Sequence, residues 1–178
     1  MRAFATRFAT IRDGHPDPLL IAARVLLYIF LAGVILAMVL SVIGLVVYVG
    51  SRLSELFLLA NWAIWRPVAA HLLGLVALGL ISSSIQSLLA MMGAVERRDP
   101  FNAGNGKGLE RIAGSVLGLQ LIGLFAALIG LPIGGDINGF DIHLKLSPGG
   151  VAVVLLLFIL ARVFRQGAAM RDDLDGTV

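Results

Sequence analysis

From residue 25 to residue 49 no side chain is charged, and this run limits the possible folds of the chain more than any other feature. Twenty-five helical residues rise about 37 Å, enough to cross a hydrocarbon core of roughly 30 Å with some tilt. A transmembrane helix is therefore expected, with Tyr28 and Tyr48 near its ends, where amphipathic rings settle at the headgroup level. Asp17-Pro18 supplies an N-cap residue followed by proline at the first helical position, where a missing N–H costs nothing, so the helix should open there.

The rest of the chain has the same character. Hydrophobic residues occupy 58% of 178 positions and charged residues 14%, against about 25% charged in an ordinary soluble domain. Mean hydropathy is +0.95. Further apolar stretches cover about 68–95, 112–131 and 149–166, the last long enough only if Arg162 snorkels to the interface. Trp62 and Trp65 read as interfacial anchors ahead of the second span. Ser147-Pro148 repeats the N-cap and proline pattern ahead of the fourth. After the Asn138-Gly139 turn signal, Phe140, Ile142, Leu144 and Leu146 alternate with Asp141, His143 and Lys145, which predicts a small β-hairpin outside the bilayer. The expected fold is an all-α integral membrane protein: one domain, four transmembrane helices in a bundle, and an extracytoplasmic β-hairpin between the third and fourth. Arg2, Arg7 and Arg12, with Phe4, Phe8 and Ile11 at helical spacing, form a basic tail with some amphipathic character. The apolar run that follows is too long for the h-region of a cleaved signal peptide.

Charge fixes the expected orientation. The strongly polar passage at 96–114 carries Arg97, Arg98, Lys107 and Arg111 against Glu96, Asp99 and Glu110. With the N-terminal tail and the C-terminal end it holds eleven of the 14 cations, whereas Arg52, Arg66 and Lys145 fall on the opposite face. By the positive-inside rule both termini and the central loop are expected in the cytoplasm.

Small and polar residues mark the expected helix contacts. Gly79, Ser83 and Ser87 share a ridge in the second span, Gly33, Ala37 and Ser41 in the first, and Gly114 with Gly118 in the third. Ser82, Ser83, Ser84, Gln86 and Ser87 should turn from lipid toward other helices. Gln86 and Gln120 each lie nine residues from the expected inner end of their span, which predicts that their amides meet across the interface. A homo-oligomer is compatible with this reading.

Little in the chain resembles reaction chemistry. Gly104-Asn105-Gly106-Lys107-Gly108 fails as a phosphate loop, since Phe101 stands where a glycine is needed and Gly108 where Ser or Thr is needed, and it reads instead as a flexible loop. Asp136, Asp141 and His143 are explained as solvent-facing loop and strand positions without a metal, and His71 as a packing or interfacial histidine. No Asp, Glu or Lys lies within the spans, which argues against an ion-coupled carrier, although a transporter subunit or permease component is the second reading. No nucleophile and base stand at usable spacing, so neither an enzyme nor a cofactor is expected. The cations sit beside apolar segments and form no continuous basic stripe, so no direct nucleic-acid partner is expected. With no cysteine, disulfides and thiolate metal sites are excluded.

What remains is a docking surface at the basic pole. Arg97, Arg98, Asp99, Pro100 and Phe101 place an aromatic after a proline between charges, and Arg165 and Arg171 lead a tail whose Arg171-Asp172-Asp173 alternates in sign. An aromatic anchor flanked by selective charges suits a protein partner. The expectation is a regulatory or scaffolding protein acting through its cytoplasmic face and otherwise surrounded by the lipid bilayer.

Two passages carry a resemblance. Asp99-Pro100-Phe101 with Leu109-Glu110-Arg111-Ile112-Ala113-Gly114, and Leu146-Ser147-Pro148 with Leu160-Ala161-Arg162-Val163-Phe164-Arg165-Gln166-Gly167, Met170 and Asp175-Gly176-Thr177-Val178, resemble a bacterial family of four-span membrane proteins, domain of unknown function 2975. The resemblance implies a bacterial inner-membrane location. It also implies a cytoplasmic regulatory partner, since members are often encoded beside a small Cro-type helix-turn-helix regulator. Members more often start a helix with Pro-Glu-Asn where this chain carries the small residues 104–108.

Overall fold

The computed structural model describes residues 18–52, 62–97, 103–131, 136–137, 140–141 and 147–175. Four helices make up nearly all of it: α1 Pro18–Ser51, α2 Trp62–Glu96, α3 Ala103–Leu128 and α4 Pro148–Asp175. Each is long and apolar enough to cross a membrane. α1 and α4 open at the expected prolines, and Ser147 Oγ accepts a hydrogen bond from the Gly150 amide at 2.9 Å, as an N-cap serine does.

The fold is all-α. Between α3 and α4, β1 (Asp136–Ile137) and β2 (Phe140–Asp141) pair antiparallel, with Asp136 opposite Asp141 and Ile137 opposite Phe140. Two rungs flanking Asn138-Gly139 are too short to form a layer of the fold. The extracytoplasmic hairpin expected from the alternating pattern is thus not established as an element. Its continuation, residues 142–146, lies outside the described residues, as do the N-terminal tail and residues 98–101.

The helices also begin and end elsewhere than their apolar runs. α2 starts at Trp62 and carries Pro67 within it, α3 starts nine residues before Ile112, and α4 continues past Gln166 to Asp175. Hydropathy shows where a helix meets lipid, whereas helical hydrogen bonding continues into water when nothing breaks it.

Packing is serial. α1 packs on α2, α2 on α3, and α3 on α4, and among the described residues no contact closes the row between α1 and α4. A four-helix bundle is expected, and among the described residues its helices are arranged as an open row. Lipid is as apolar as leucine, so an uncovered apolar face costs nothing there, and helices associate only where close packing or polar contacts favour it. Most of the buried apolar side chains are accordingly small, Ala77, Ala94, Ala113, Ala126, Ala161 and Ala168 beside the larger Ile85, Leu109, Leu131 and Val154, and no residue of α1 is buried.

At one pole α3 ends in a Schellman motif. Leu131 N bonds Ala126 O at 2.8 Å, Gly130 N bonds Ala127 O at 3.2 Å, and Gly130 takes φ +66°, a conformation that glycine adopts without steric cost. Arg66 of α2 donates to the Gly130 carbonyl, placing a cation at the negative end of α3.

Candidate functional site

The polar side chains concentrate at the other pole, where α1 and α3 begin and α2 and α4 end. Arg24 of α1 pairs with Glu96 of α2 at 3.0 Å, and Arg165 of α4 pairs with Glu110 of α3. These pairs join the outer helices to the inner ones, and partial exposure keeps each modest in energy.

Between them the residues expected to form a loop are helical. Gly104 to Gly108 make up the first turns of α3, held between two neighbours. A Cβ on Gly106 would stand 3.3 Å from the Ala161 carbonyl oxygen of α4, and one on Gly108 would stand 3.4 Å from Met91 Sδ of α2. The two glycines thus let α3 approach backbone on one side and a thioether on the other. Asn105, on the same turn, is buried. The reading of this stretch as a flexible loop is overturned. The four-residue spacing of Gly104 and Gly108 was the available clue, because it is the same spacing that marked the ridges elsewhere.

That early helix start shifts the register of α3 against α2. Gly108 lies against Met91 and Ser87, and Gly118 lies 2.9 Å, measured from an added Cβ, from Leu80 Cδ1. Gln120 therefore sits opposite the level of residue 78, about 12 Å along the helix from Gln86. The predicted amide pair does not form. Gln86 is exposed and its Nε2 donates to Ser82 Oγ at 3.2 Å on its own helix. Gln120 is only 7% exposed, turns to α4, where its Oε1 would lie 2.7 Å from a Cβ on Gly150, and among the described residues has no hydrogen-bond partner on either amide atom.

The ridges fare unevenly. Ser87 is buried and Gly118 is a contact, but Gly114 is exposed, and Cβ atoms on Gly33, Gly79 or Gly114 would meet nothing within 4 Å. The hydroxyls of Ser84 and Ser87 donate to Leu80 O and Ser83 O, one turn back, so they are satisfied within α2 rather than across an interface. His71 likewise donates from Nδ1 to Pro67 O at 2.8 Å, with Nε2 3.5 Å from a Cβ on Gly44 of α1, as a packing histidine would.

Of the expected docking residues, Arg97, Arg165 and Arg171 are exposed at this pole, while Arg98, Asp99, Pro100 and Phe101 lie outside the described residues. Two grooves flank α3. One, of about 660 Å³ between α3 and α4, includes Glu110, Phe158, Arg162 and Gln166. The other, of about 450 Å³ between α2 and α3, includes Gln86, Met91, Arg97, Lys107 and Arg111. Among the described residues no three metal-ligating side chains gather.

Four apolar helices, small-residue interfaces and charge gathered at the helix ends define a multi-span α-helical membrane protein. Within that class the chain belongs to the family described as protein of unknown function (DUF2975), whose model matches residues 58–178, from just before α2 to the C-terminal residue. No curated protein and no solved structure matches the chain.

Proposed function

We propose that this protein resides in the bacterial inner membrane with the Arg24, Arg97 and Arg165 pole in the cytoplasm, and that it regulates or scaffolds a cytoplasmic protein through that pole. The observation that carries the reading is the length of α4. With Gly106 against Ala161, the first residue of α3 is level with about Arg165, yet α4 runs on to Asp175, about 15 Å further. A transmembrane anchor needs no such extension. A helical arm bearing Arg171 and Asp173, beside a groove with Phe158 and Gln166, suits recognition of a protein surface by shape and alternating charge. The partner best suited is the small helix-turn-helix regulator implied by the family resemblance.

Two measurements test this. Phosphatase fused after Arg97 should be inactive and phosphatase fused after Gly139 active, and the reverse pattern refutes the orientation. A variant combining Phe101→Ala with truncation after Gly167 should lose a cytoplasmic protein that copurifies with the intact chain. Identical partner lists for the two remove the docking reading.

A further inference from the structure

The groove between α2 and α3 has its own chemistry, independent of any protein partner. Three cations are spaced along it, Arg97 at the end of α2 and, from α3, Lys107 about level with Ala90 and Arg111 about level with Gln86, all exposed. Lys107 and Arg111 are four residues apart and so share a helix face, where like charges repel. Among the described residues the neighbouring carboxylates do not relieve them, because Glu96 is paired with Arg24 and Glu110 with Arg165, and none of the three groove cations forms an ion pair.

The α2 wall facing Lys107 is apolar, lined by Ala90, Met91 and Ala94, and Gly108 leaves the space that any side chain would fill against Met91. Gln86 lies deepest, eleven residues before Arg97 and so roughly 16 Å below it along the helix. A ligand matched to this groove has an anionic group that the long side chains of the two arginines and the lysine can reach from above, beside and below, and an apolar body against the α2 wall. Arginine binds phosphate oxygens in bidentate fashion and lysine supplies a point charge, so the head that fits is a phosphoryl group.

We infer that the groove between α2 and α3 is a binding site for a phosphoryl anion, held by Arg97, Lys107 and Arg111. The same head can be presented by an anionic phospholipid or by a soluble phosphate, and the apolar walls favour the lipid. The full-length protein in neutral detergent is titrated with phosphatidylglycerol, with phosphatidylcholine and with inorganic phosphate at matched ionic strength, reading thermal unfolding and immobilisation of spin-labelled lipid. Phosphatidylglycerol should bind about tenfold or more tightly than phosphatidylcholine. A variant with Arg97→Gln, Lys107→Gln and Arg111→Gln should lose that preference, and all three changes are at exposed positions. A control with Arg2→Gln, Arg7→Gln and Arg12→Gln removes the same charge and should keep it. Displacement of the lipid by millimolar inorganic phosphate would assign the site to a soluble phosphate, and persistence would assign it to the lipid. Equal loss in both variants, or no response of the intact protein to either phosphatidylglycerol or inorganic phosphate, overturns the inference.

Discussion

α1 and α3 invert the rule that apolar sequence goes to the interior. Of the four spans that of α1 is the most apolar and none of it is buried, whereas that of α3 is the least apolar and 33% of it is buried. In water the ranking would be reversed, because the interior is where apolar surface escapes the solvent. In lipid the solvent is itself apolar, so burial goes to the helix that packs closely, and close packing needs glycine, alanine and serine. α3 has neighbours on two sides and meets them through Gly106, Gly108 and Gly118, while among the described residues α1 meets α2 alone.

The largest test of this contrast is Gly106→Leu. The new side chain meets the Ala161 carbonyl, a backbone atom that cannot swing aside, so unfolding of the purified protein in detergent should show a loss of about 1–3 kcal/mol. A smaller effect is expected from Gly150→Ala, whose Cβ meets the amide of buried Gln120. Here the informative quantity is a coupling, because Gln120→Ala should remove much of the penalty, giving an interaction of about 1 kcal/mol in a double-mutant cycle. Additive effects would mean that Gln120 simply moves away. The smallest effect belongs to Leu36→Ala on the exposed side of α1, with a change below about 0.5 kcal/mol. If Leu36→Ala costs as much as Gly106→Leu, the α1 face is covered in the assembled protein, and a second copy of the chain becomes the first candidate to cover it.

What the sequence made legible was local. The starts of α1 and α4 follow from Pro18 and Pro148, because a proline at the first turn and its preceding cap act within a few residues. The four spans follow from hydropathy for the same reason. The start of α3 did not, since glycines at 104, 106 and 108 have poor helix propensity and only their neighbours, Ala161 and Met91, explain their presence in a helix. The error in the Gln86 and Gln120 pairing came from that one misreading, because displacing the start of α3 displaces every level below it. The candidate site was legible as a cluster of cations but not as a groove. Which cations are already paired depends on where Arg24 and Arg165 reach, and no spacing along the chain reveals that.

The open row also bears on how the protein comes to be assembled. Every interhelical contact among the described residues joins helices consecutive in the chain, so each helix emerging from synthesis meets the neighbour made just before it. No early segment waits for a late one, and the chain to be closed before each interface forms is only the connection between successive helices, which keeps the entropic cost of closure low. α1 can settle against α2 before α4 exists, and a chain stopped after α3 already holds two of its three interfaces.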